Sequence, residues 1–248
     1  MSPPPRLGQH FLTDPAILDR IVDALDPVPG ETVLEIGSGR GTLTEALLRR
    51  GLRVIAIEKD RELAGSLRRD SLTVIAGDAL ELEWPNARKV VGNIPYYITS
   101  PLIDKALAPP LRERVVFLVQ AEVADRLAAQ PGSKIYGGLS VGVQAVARVD
   151  KLFTIAPGSF RPPPKVRSAL VRLMPLADPL VTPDEIHELR VFVTACFSKR
   201  RKQLKNAVPG LNEADLKSLG FDPQQRPEQL PPDAFVRLFR SNRTRQVT

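Results

Sequence analysis

Acidic side chains stand at the ends of three successive valine- and isoleucine-rich segments, where they could bind a nucleotide-like ligand. The first segment contains Glu35 and runs into a glycine-rich turn at residues 37–41, with the pattern E-x-G-x-G-x-G. Glycines in such a turn let the backbone approach a ligand closely. Glu58 ends the second segment, where a carboxylate accepts hydrogen bonds from both ribose hydroxyls. Asp78 ends the third, where it accepts from an adenine amino group. These positions predict a site for an adenosine-containing cofactor.

The spacing of the glycines distinguishes this turn from a dinucleotide fingerprint. The fingerprint G-x-G-x-x-G needs a glycine at position 42, which is Thr42 here, so the turn lacks the spacing that places a pyrophosphate at a helix end. S-adenosylmethionine has no phosphate and suits this pattern. Each element alone has an ordinary alternative, since glycines form turns and acids end strands in many folds, but the three together favour the cofactor. The predicted cofactor contacts here are Glu35, Gly37, Gly39, Glu58, Lys59, Asp78, Ala79 and Asn93.

The fourth apolar segment ends in a tetrapeptide, Asn93-Ile94-Pro95-Tyr96, that resembles the motif of adenine and amino-group N6-methyltransferases. The lone pair of an adenine N6 is delocalised into the ring, so this nitrogen is a poor nucleophile. The Asn93 side-chain oxygen and the Ile94 carbonyl can each accept one N6 hydrogen, and Pro95 stiffens the turn. Tyr96 offers a stacking face to a base taken out of its helix. Methyl transfer would then be an in-line displacement from a sulfonium.

Taken alone, the same tetrapeptide is equally typical of a simple turn with a buried aromatic side chain. Its position after three cofactor elements, in the expected strand order, makes it the strongest functional signal in the chain.

The elements that must position these residues alternate between strand and helix. Five apolar segments occupy residues 32–36, 53–57, 72–76, 89–92 and 114–119. Between them lie the helical patterns PAILDRIVDAL, TLTEALLRR, RELAGSLRR and SPLIDKAL. This alternation predicts a mostly parallel sheet with helices on both faces. Two further candidates, KLFTIAP and VRSALVRLMP, could close the sheet as an antiparallel pair. The predicted α/β fold is a Rossmann-like class I methyltransferase domain with seven strands.

The pattern changes after residue 175 and predicts a second domain. We expect residues 1–175 to form the methyltransferase domain and residues 176–248 to form a small all-α domain that binds RNA. A long helical stretch covers residues 184–208, followed by shorter helices in NEADLKSLG and PDAFVRLFRSN.

Charge favours a polyanionic partner. The net charge is +7, and residues 148–205 hold 12 Lys and Arg against 5 Asp and Glu, a difference of +7 that accounts for the whole excess. On charge alone, chance clustering of cations on a solvated surface explains this excess about as well as a polyanionic partner does. One cysteine and two histidines at their spacing cannot build a zinc site, so we expect no metal. No apolar run of about 18 residues occurs, and we expect no membrane span and a cytoplasmic protein.

Three further segments resemble the bacterial small-subunit (16S) ribosomal RNA adenine N6,N6-dimethyltransferases, the KsgA family. They are LGQHFL at 7–12, PGSFRP at 157–162 leading into KVRS, and FSKRRKQL at 197–204. By this resemblance Gln9, His10 and Leu12 fold over S-adenosylmethionine, with Gln9 near the substrate, and Phe160 stacks on the second face of the target adenine. Without the family, His10 is more readily explained as structural, and Phe160 as a core residue in a proline-rich connection.

The resemblance also implies a substrate and an RNA surface. The product would be N6,N6-dimethyladenosine at two adjacent adenosines in the hairpin near the 3′ end of 16S ribosomal RNA. The partner would be an immature small ribosomal subunit, met by a monomeric enzyme. Basic residues would meet RNA phosphates, those of the C-terminal run from around a helix. They are Arg161, Lys165, Arg167, Lys199, Arg200, Arg201, Lys202 and Lys205.

Three alternatives stay open. A large-subunit ribosomal RNA adenine methyltransferase of the macrolide-resistance type shares the first motifs, but the FSKRRKQL run and the PDAF helix favour the small-subunit enzyme. A non-catalytic RNA-binding factor of the same fold, like mitochondrial transcription factor B, is disfavoured by the intact acidic and Asn93 positions. DNA or protein-glutamine methylation shares the tetrapeptide; the basic stretch disfavours a protein substrate but does not exclude DNA.

Overall fold

In the computed structural model, residues 10–182 and 185–246 are described, and they divide into two compact units. The first unit takes the described residues up to Ala124 together with Asp150–Pro175, and the second takes Asp125–Val149 and the described residues from Leu176 onward. The strands are β1 (Phe11–Leu12), β2 (Thr32–Ile36), β3 (Arg53–Glu58), β4 (Leu72–Ala76), β5 (Lys89–Asn93), β6 (Arg114–Gln120), β7 (Ala147–Ile155), β8 (Phe160–Arg161) and β9 (Ser168–Pro175). The α-helices are α1 (Pro15–Ala24), α2 (Thr42–Arg49), α3 (Arg61–Ser66), α4 (Thr99–Leu107), α5 (Ala121–Leu127), α6 (Gly138–Gln144), α7 (Glu185–Ser198), α8 (Leu204–Ala207), α9 (Glu213–Ser218) and α10 (Pro232–Gln246).

The seven-stranded sheet has the order β4-β3-β2-β5-β6-β9-β7. The pairs from β4 to β6 are parallel, and β9 runs antiparallel to β6 with Phe117 opposite Val171. The α/β prediction with a mostly parallel seven-stranded sheet is confirmed. β9 lies between β6 and β7, so the two C-terminal strands extend the sheet beyond β6.

The strand order reverses direction between β2 and β5, which are neighbours in the sheet. β3 and β4 follow on one side of β2, whereas β5 and β6 continue on the other. In open α/β sheets a crevice forms outside the carboxyl ends of the strands at such a switch point. The Glu35 turn and Asn93 both lie at this place.

The sheet interior explains why these strands form. Val33, Leu34, Val90, Val91 and Val116 are all fully buried, so the central strands read as continuous apolar runs rather than alternating ones. The sequence also explains where α1 begins. Asp14 caps this helix by accepting hydrogen bonds from the Ala16 and Ile17 amides, and Pro15 occupies the first helical position.

The second unit is helical, and it includes a segment that the predicted boundary at residue 175 assigned to the first domain. Within this unit the Tyr136 hydroxyl donates to the Leu230 carbonyl at 3.0 Å, and the Tyr136 ring contacts Phe197 edge-on. Gly138 lies so close to Thr194 that an added Cβ would stand 3.1 Å from its hydroxyl oxygen. These contacts pack residues 125–149 with the C-terminal helices.

The long predicted helix over residues 184–208 is wrong at its C-terminal half. α7 ends at Ser198, and residues 199–202 form a turn before α8 begins at Leu204. The amides of Arg200 and Lys202 each bond a carbonyl three residues earlier, and the Leu204 amide bonds the Gln225 carbonyl instead of a helical partner. The basic run is therefore a turn between two helices and does not surround one helix.

Among the helices in the described ranges, none is long and apolar enough to cross a membrane.

Candidate active site

A cavity opens at the carboxyl ends of the central strands in the first unit and contains most of the predicted site. It is lined by thirteen of the predicted residues: His10, Leu12, Glu35, Gly37, Gly39, Glu58, Lys59, Asp78, Ala79, Asn93, Ile94, Pro95 and Tyr96. Gln9 lies outside the described residues. The predicted cofactor contacts and the tetrapeptide therefore share one cavity.

The glycine turn after β2 follows the backbone that its sequence predicts. Gly37, Gly39 and Gly41 all have positive φ angles, between 54° and 83°, a region that side chains with a Cβ rarely adopt. A Cβ on Gly39 would stand 2.9 Å from the Phe11 ring, and one on Gly37 would stand 3.8 Å from the Asn93 carbonyl oxygen. The turn therefore passes directly beside the tetrapeptide that follows β5.

Glu58 is buried and oriented by the turn. One carboxylate oxygen accepts from the Gly39 amide at 2.7 Å, and the other accepts from the Asp60 amide at 2.9 Å. Each carboxylate oxygen has about two acceptor positions, so both oxygens can accept a further hydrogen bond. This arrangement suits a pair of ribose hydroxyls.

Asp78 is held by an ion pair with Lys59. The Lys59 Nζ lies 2.7 Å from one Asp78 oxygen, and the Leu80 amide donates to the other at 2.9 Å. The hydrogen bond from Lys59 and that from the Leu80 amide lower the pKa of Asp78, so this carboxylate stays ionised at neutral pH. The fixed negative charge suits an adenine amino group as a donor.

Glu35 is the most constrained acid of the cavity. Its side chain is fully buried, one oxygen accepts from the Thr44 hydroxyl at 2.6 Å, and the other has no hydrogen-bond partner. Burial raises the pKa of Glu35 to about 7, opposed by the Thr44 hydrogen bond and assisted by the nearby Glu58 charge. A buried oxygen without a partner costs free energy unless a ligand supplies a donor. The ammonium group of S-adenosylmethionine is a cationic donor of the required kind, so these residues fit the cofactor.

Asn93 ends β5 with its amide group already oriented. The Nδ2 atom donates to the His10 carbonyl at 2.8 Å, which leaves Oδ1 as an acceptor. The next residue, Ile94, is 1% exposed, and the Ile98 amide closes the following turn onto the Pro95 carbonyl at 3.2 Å. A hydrogen-bonded turn thus contains the acceptor groups that the methyl-transfer hypothesis needs.

Tyr96 is half-buried at the same end of β5. Its hydroxyl forms a 2.6 Å hydrogen bond with the Ser168 hydroxyl on β9, and its ring lies 6.1 Å from the His10 ring at 29°. Burial raises the pKa of the Tyr96 phenol, which stays neutral. The ring is fixed at its outer end and remains part of the cavity wall, as a stacking face requires.

The predicted stacking role of Phe160 is not supported by this structure. Phe160 is 0% exposed, belongs to the hydrophobic core and lies opposite Leu12 in the short β1–β8 ladder. A ring with no exposed face cannot stack on a base without leaving this packing. The core alternative left open for this residue describes it better.

The β1–β8 ladder holds the N-terminal segment over the cavity. Phe11 lies opposite Arg161, and the His10 Nδ1 atom is 2.8 Å from the Pro162 carbonyl oxygen. Phe11 also receives the Arg40 guanidinium 4.7 Å from its ring centroid. His10 thus has a structural contact as well as a position in the cavity wall.

The predicted RNA-binding residues are mostly exposed in both units. Arg161, Lys165 and Arg167 are exposed in the first unit; Lys199, Arg201, Lys202 and Lys205 are exposed in the second. Arg200 differs, because it is half-buried and donates to the Ser133 carbonyl at 2.8 Å, a contact within the protein.

Sequence reasoning missed several cavity residues. Phe11, Ser38 and Thr42 line the cavity beside predicted neighbours, and Tyr97 lines it with a ring that is 65% exposed. The signal for Tyr97 was available, since an aromatic residue follows the tetrapeptide in a chain with only 5% aromatics. In the described part of the chain, no group of three or more His, Cys, Asp or Glu side chains is arranged to hold a metal ion.

Comparisons with known proteins show which family the chain belongs to. The family model described as ribosomal RNA adenine dimethylase matches residues 4–242. A protein from Leptothrix cholodnii named ribosomal RNA small subunit methyltransferase A is 43% identical over 251 residues, covering 95% of this chain and 90% of that protein. The crystal structure of a dimethyladenosine transferase from Plasmodium falciparum has a TM-score of 0.84 at 29% identity, covering 96% of this chain and 98% of that one. The structure of the 23S rRNA methyltransferase ErmE has a TM-score of 0.71 at 29% identity, covering 93% and 98%.

A family model that spans nearly the whole chain, relatives above 40% identity and the cavity geometry agree, and the chain belongs to the ribosomal RNA adenine dimethylase family.

Proposed function

We propose that this protein transfers methyl groups from S-adenosylmethionine to N6 of two adjacent adenosines in the hairpin near the 3′ end of 16S ribosomal RNA. The product is N6,N6-dimethyladenosine, made on an immature small subunit by a monomeric, cytoplasmic enzyme. The family assignment supports the reaction class, and the name of the Leptothrix cholodnii relative supports the small-subunit substrate.

The observation that carries the proposal is the placement of Asn93. Its Nδ2 atom donates to the His10 carbonyl, which leaves the side-chain oxygen as an acceptor. Its backbone oxygen would lie 3.8 Å from a Cβ added to Gly37, so Asn93 stands beside the glycine turn. An acceptor for amino hydrogens therefore shares a cavity with acids suited to a nucleoside.

Bound S-adenosylmethionine supplies an electrophilic methyl group on a sulfonium. Glu58 would accept from its ribose hydroxyls, Asp78 from its adenine amino group, and Glu35 from its ammonium. Each of these three carboxylates is already positioned by the protein: Glu58 by backbone amides, Asp78 by Lys59 and the Leu80 amide, and Glu35 by Thr44. Preorganised acceptors need no rearrangement when the ligand enters.

The target adenine is held by the tetrapeptide. Tyr96 stacks on the base, while the Asn93 oxygen and the Ile94 carbonyl accept the two N6 hydrogens and localise the lone pair on nitrogen. Holding that lone pair in line with the methyl group supplies most of the rate enhancement. A monomethylated adenine retains one N6 hydrogen, so the second transfer proceeds with one acceptor engaged and the other beside the first methyl group.

The exposed basic residues bind the RNA backbone. Arg161, Lys165 and Arg167 precede the buried end of β9, and Lys199, Arg201, Lys202 and Lys205 surround the turn after α7. Cations of this type neutralise phosphates and make affinity depend on salt.

A large-subunit substrate is the second candidate, favoured by the TM-score of 0.71 to ErmE. One experiment separates the two. The pure protein is incubated with labelled S-adenosylmethionine and, in separate reactions, with undermethylated small subunits, naked large-subunit RNA and duplex DNA.

We expect labelled dimethyladenosine in small-subunit RNA alone. Label in large-subunit RNA instead would replace the small-subunit proposal, and label in DNA would show that the substrate is not restricted to RNA. Cofactor binding without transfer to any substrate would favour a non-catalytic RNA-binding factor.

A further inference from the structure

Tyr97 is an aromatic side chain exposed to solvent at the mouth of the cavity. It is 65% exposed, whereas the other twelve aromatic side chains, all within the described ranges, are buried or half-buried. A single exposed hydrophobic residue is common on protein surfaces and by itself indicates nothing. The position of Tyr97 is what distinguishes it, because it lines the same cavity as Asn93 and Tyr96.

The backbone that carries Tyr97 has a regular, hydrogen-bonded conformation. It lies in the short 3-10 helix Tyr96–Ile98, which the Ile98 amide closes onto the Pro95 carbonyl, and α4 continues directly from Thr99. An exposed ring on such a turn loses little conformational entropy when a flat partner stacks on it, because the backbone is already ordered and only two side-chain torsions remain.

Adjacent rings in this turn have different environments. Tyr96 is half-buried and tied to Ser168 on β9, so it suits the base that enters the cavity. Tyr97 has most of its surface outside and has a larger exposed fraction than any other aromatic side chain of the cavity lining. Lys59, whose ammonium pairs with Asp78, lines the same cavity with a side chain that is 53% exposed.

Base flipping exposes a neighbouring base on which such a ring can stack. When a nucleotide turns out of its stack, its neighbour loses a stacking contact and exposes a π face. Aromatic side chains stack on bases without strong sequence preference, and each such contact contributes about 1–3 kcal/mol to the binding of unpaired nucleotides. Where two adjacent adenosines are methylated, the neighbour of one target is the other target.

We propose that Tyr97 stacks on the nucleotide that flanks the target adenosine, while Tyr96 stacks on the target itself. The inference rests on the proposed function and adds a second base contact to it. Tyr97 would fix the position of the strand at the cavity mouth, and it would act on RNA affinity more than on the chemical step.

The test compares three substitutions at this one position. Tyr97→Ala removes the ring, Tyr97→Leu keeps apolar bulk without an aromatic face, and Tyr97→Phe keeps the face without the hydroxyl. Leu111→Ala is the matched control, since Leu111 is an exposed side chain of the same unit outside the cavity lining. KM and kcat are measured with undermethylated small subunits, and the S-adenosylmethionine Kd is measured by calorimetry.

We expect KM for small subunits to rise roughly 5- to 150-fold in Tyr97→Ala, the range of one lost base–aromatic stack. Tyr97→Leu should resemble Tyr97→Ala, Tyr97→Phe should show a much smaller rise, and kcat should fall less than KM rises. The cofactor Kd should stay within about threefold of the wild-type value in every variant.

Three results would overturn the inference while leaving the proposed function intact. They are an unchanged KM in Tyr97→Ala, a loss in Tyr97→Phe as large as in Tyr97→Leu, and a cofactor Kd that weakens in parallel with KM. Failure of the wild-type protein to methylate small subunits would instead contradict the proposed function and, with it, this inference.

Discussion

At the scale of single residues, Glu35 links cofactor binding to pH. Burial raises its pKa from 4.5 to about 7 in the folded protein, so below pH 7 the carboxyl is mostly neutral. A cationic ammonium favours the ionised form. Cofactor binding should therefore strengthen as pH rises through 7 and should release a proton when it occurs below that pH.

We expect S-adenosylmethionine to bind roughly five- to tenfold more weakly at pH 6 than at pH 7.5. Calorimetry in buffers of different ionisation enthalpy measures both the Kd and the proton release. Glu35→Gln is the control, because it keeps the shape without titrating, and its Kd should be nearly independent of pH. An equal pH dependence in both proteins would assign the titration to another group.

The same raised pKa makes a stability prediction of definite sign. Between pH 4.5 and 7 the folded state binds more protons at Glu35 than the unfolded state, so this residue's contribution to stability declines as pH rises through that window and is constant above it. Subtracting the free energy of unfolding of Glu35→Gln from that of the wild type at each pH isolates this contribution. A difference that does not change between pH 5 and 8 would contradict the burial effect.

Ser168 is expected to act through Tyr96. Ser168→Ala removes the 2.6 Å partner of the Tyr96 hydroxyl, which leaves a half-buried phenol free to rotate out of its stacking position. We expect about 1 kcal/mol of lost stability in urea unfolding. Methyl transfer should fall by roughly three- to tenfold, equivalent to about 1 kcal/mol of lost positioning, at an unchanged cofactor Kd. Loss of stability without a change in kcat would make this hydrogen bond purely structural.

At the scale of elements, the glycine turn after β2 packs closely against the N-terminal strand β1. Gly39 has positive φ, and a Cβ there would stand 2.9 Å from the Phe11 ring of β1. Gly39→Ala should therefore combine backbone strain of about 1–2 kcal/mol with displacement of the strand that covers the cavity.

Gly30→Ala provides the matched comparison, because Gly30 also has positive φ but has nothing within 4 Å of an added Cβ. Both variants should lose stability in denaturant unfolding. Only Gly39→Ala should also weaken the cofactor Kd, by tenfold or more if about 1.4 kcal/mol of binding is lost. Equal cofactor binding by the two variants would mean that the close packing of Gly39 against Phe11 does not affect cofactor binding.

At the scale of the whole molecule, basic residues should determine the salt dependence of RNA binding. Replacing Lys199, Arg201 and Lys202 together by alanine removes three exposed cations from the turn after α7. The slope of log K against log salt should decrease in magnitude by about 2 to 3, at roughly 0.7–0.9 for each of the three lost phosphate contacts. Filter binding to small subunits at several salt concentrations measures it. Lys217→Ala is the control, since Lys217 forms an ion pair with Glu213. An unchanged slope in the triple variant would mean that this turn does not contact RNA phosphates.

The sequence predicted the parts that depend on local pattern. The alternation of strands and helices, the glycine turn and the placement of Glu58, Asp78 and Asn93 at strand ends follow from apolar periodicity and turn chemistry, which are properties of short segments. Phe160 was assigned to the target base and is buried opposite Leu12, because burial depends on which strand pairs with it. The break after Ser198 and the grouping of residues 125–149 with the C-terminal helices likewise depend on tertiary contacts, such as those of Leu204 with Gln225 and of Tyr136 with Leu230.

The most direct test of the account is methyl transfer by Asn93→Ala, measured on undermethylated small subunits beside the S-adenosylmethionine Kd. Asn93→Asp is the companion variant, since it keeps an acceptor oxygen but loses the donation to His10. We predict that transfer falls at least about 100-fold in Asn93→Ala, that Asn93→Asp retains more activity, and that both bind cofactor within about threefold of wild type. Full activity in Asn93→Ala, or parallel loss of transfer and cofactor binding, would contradict the role of this cavity in holding the adenine amino group.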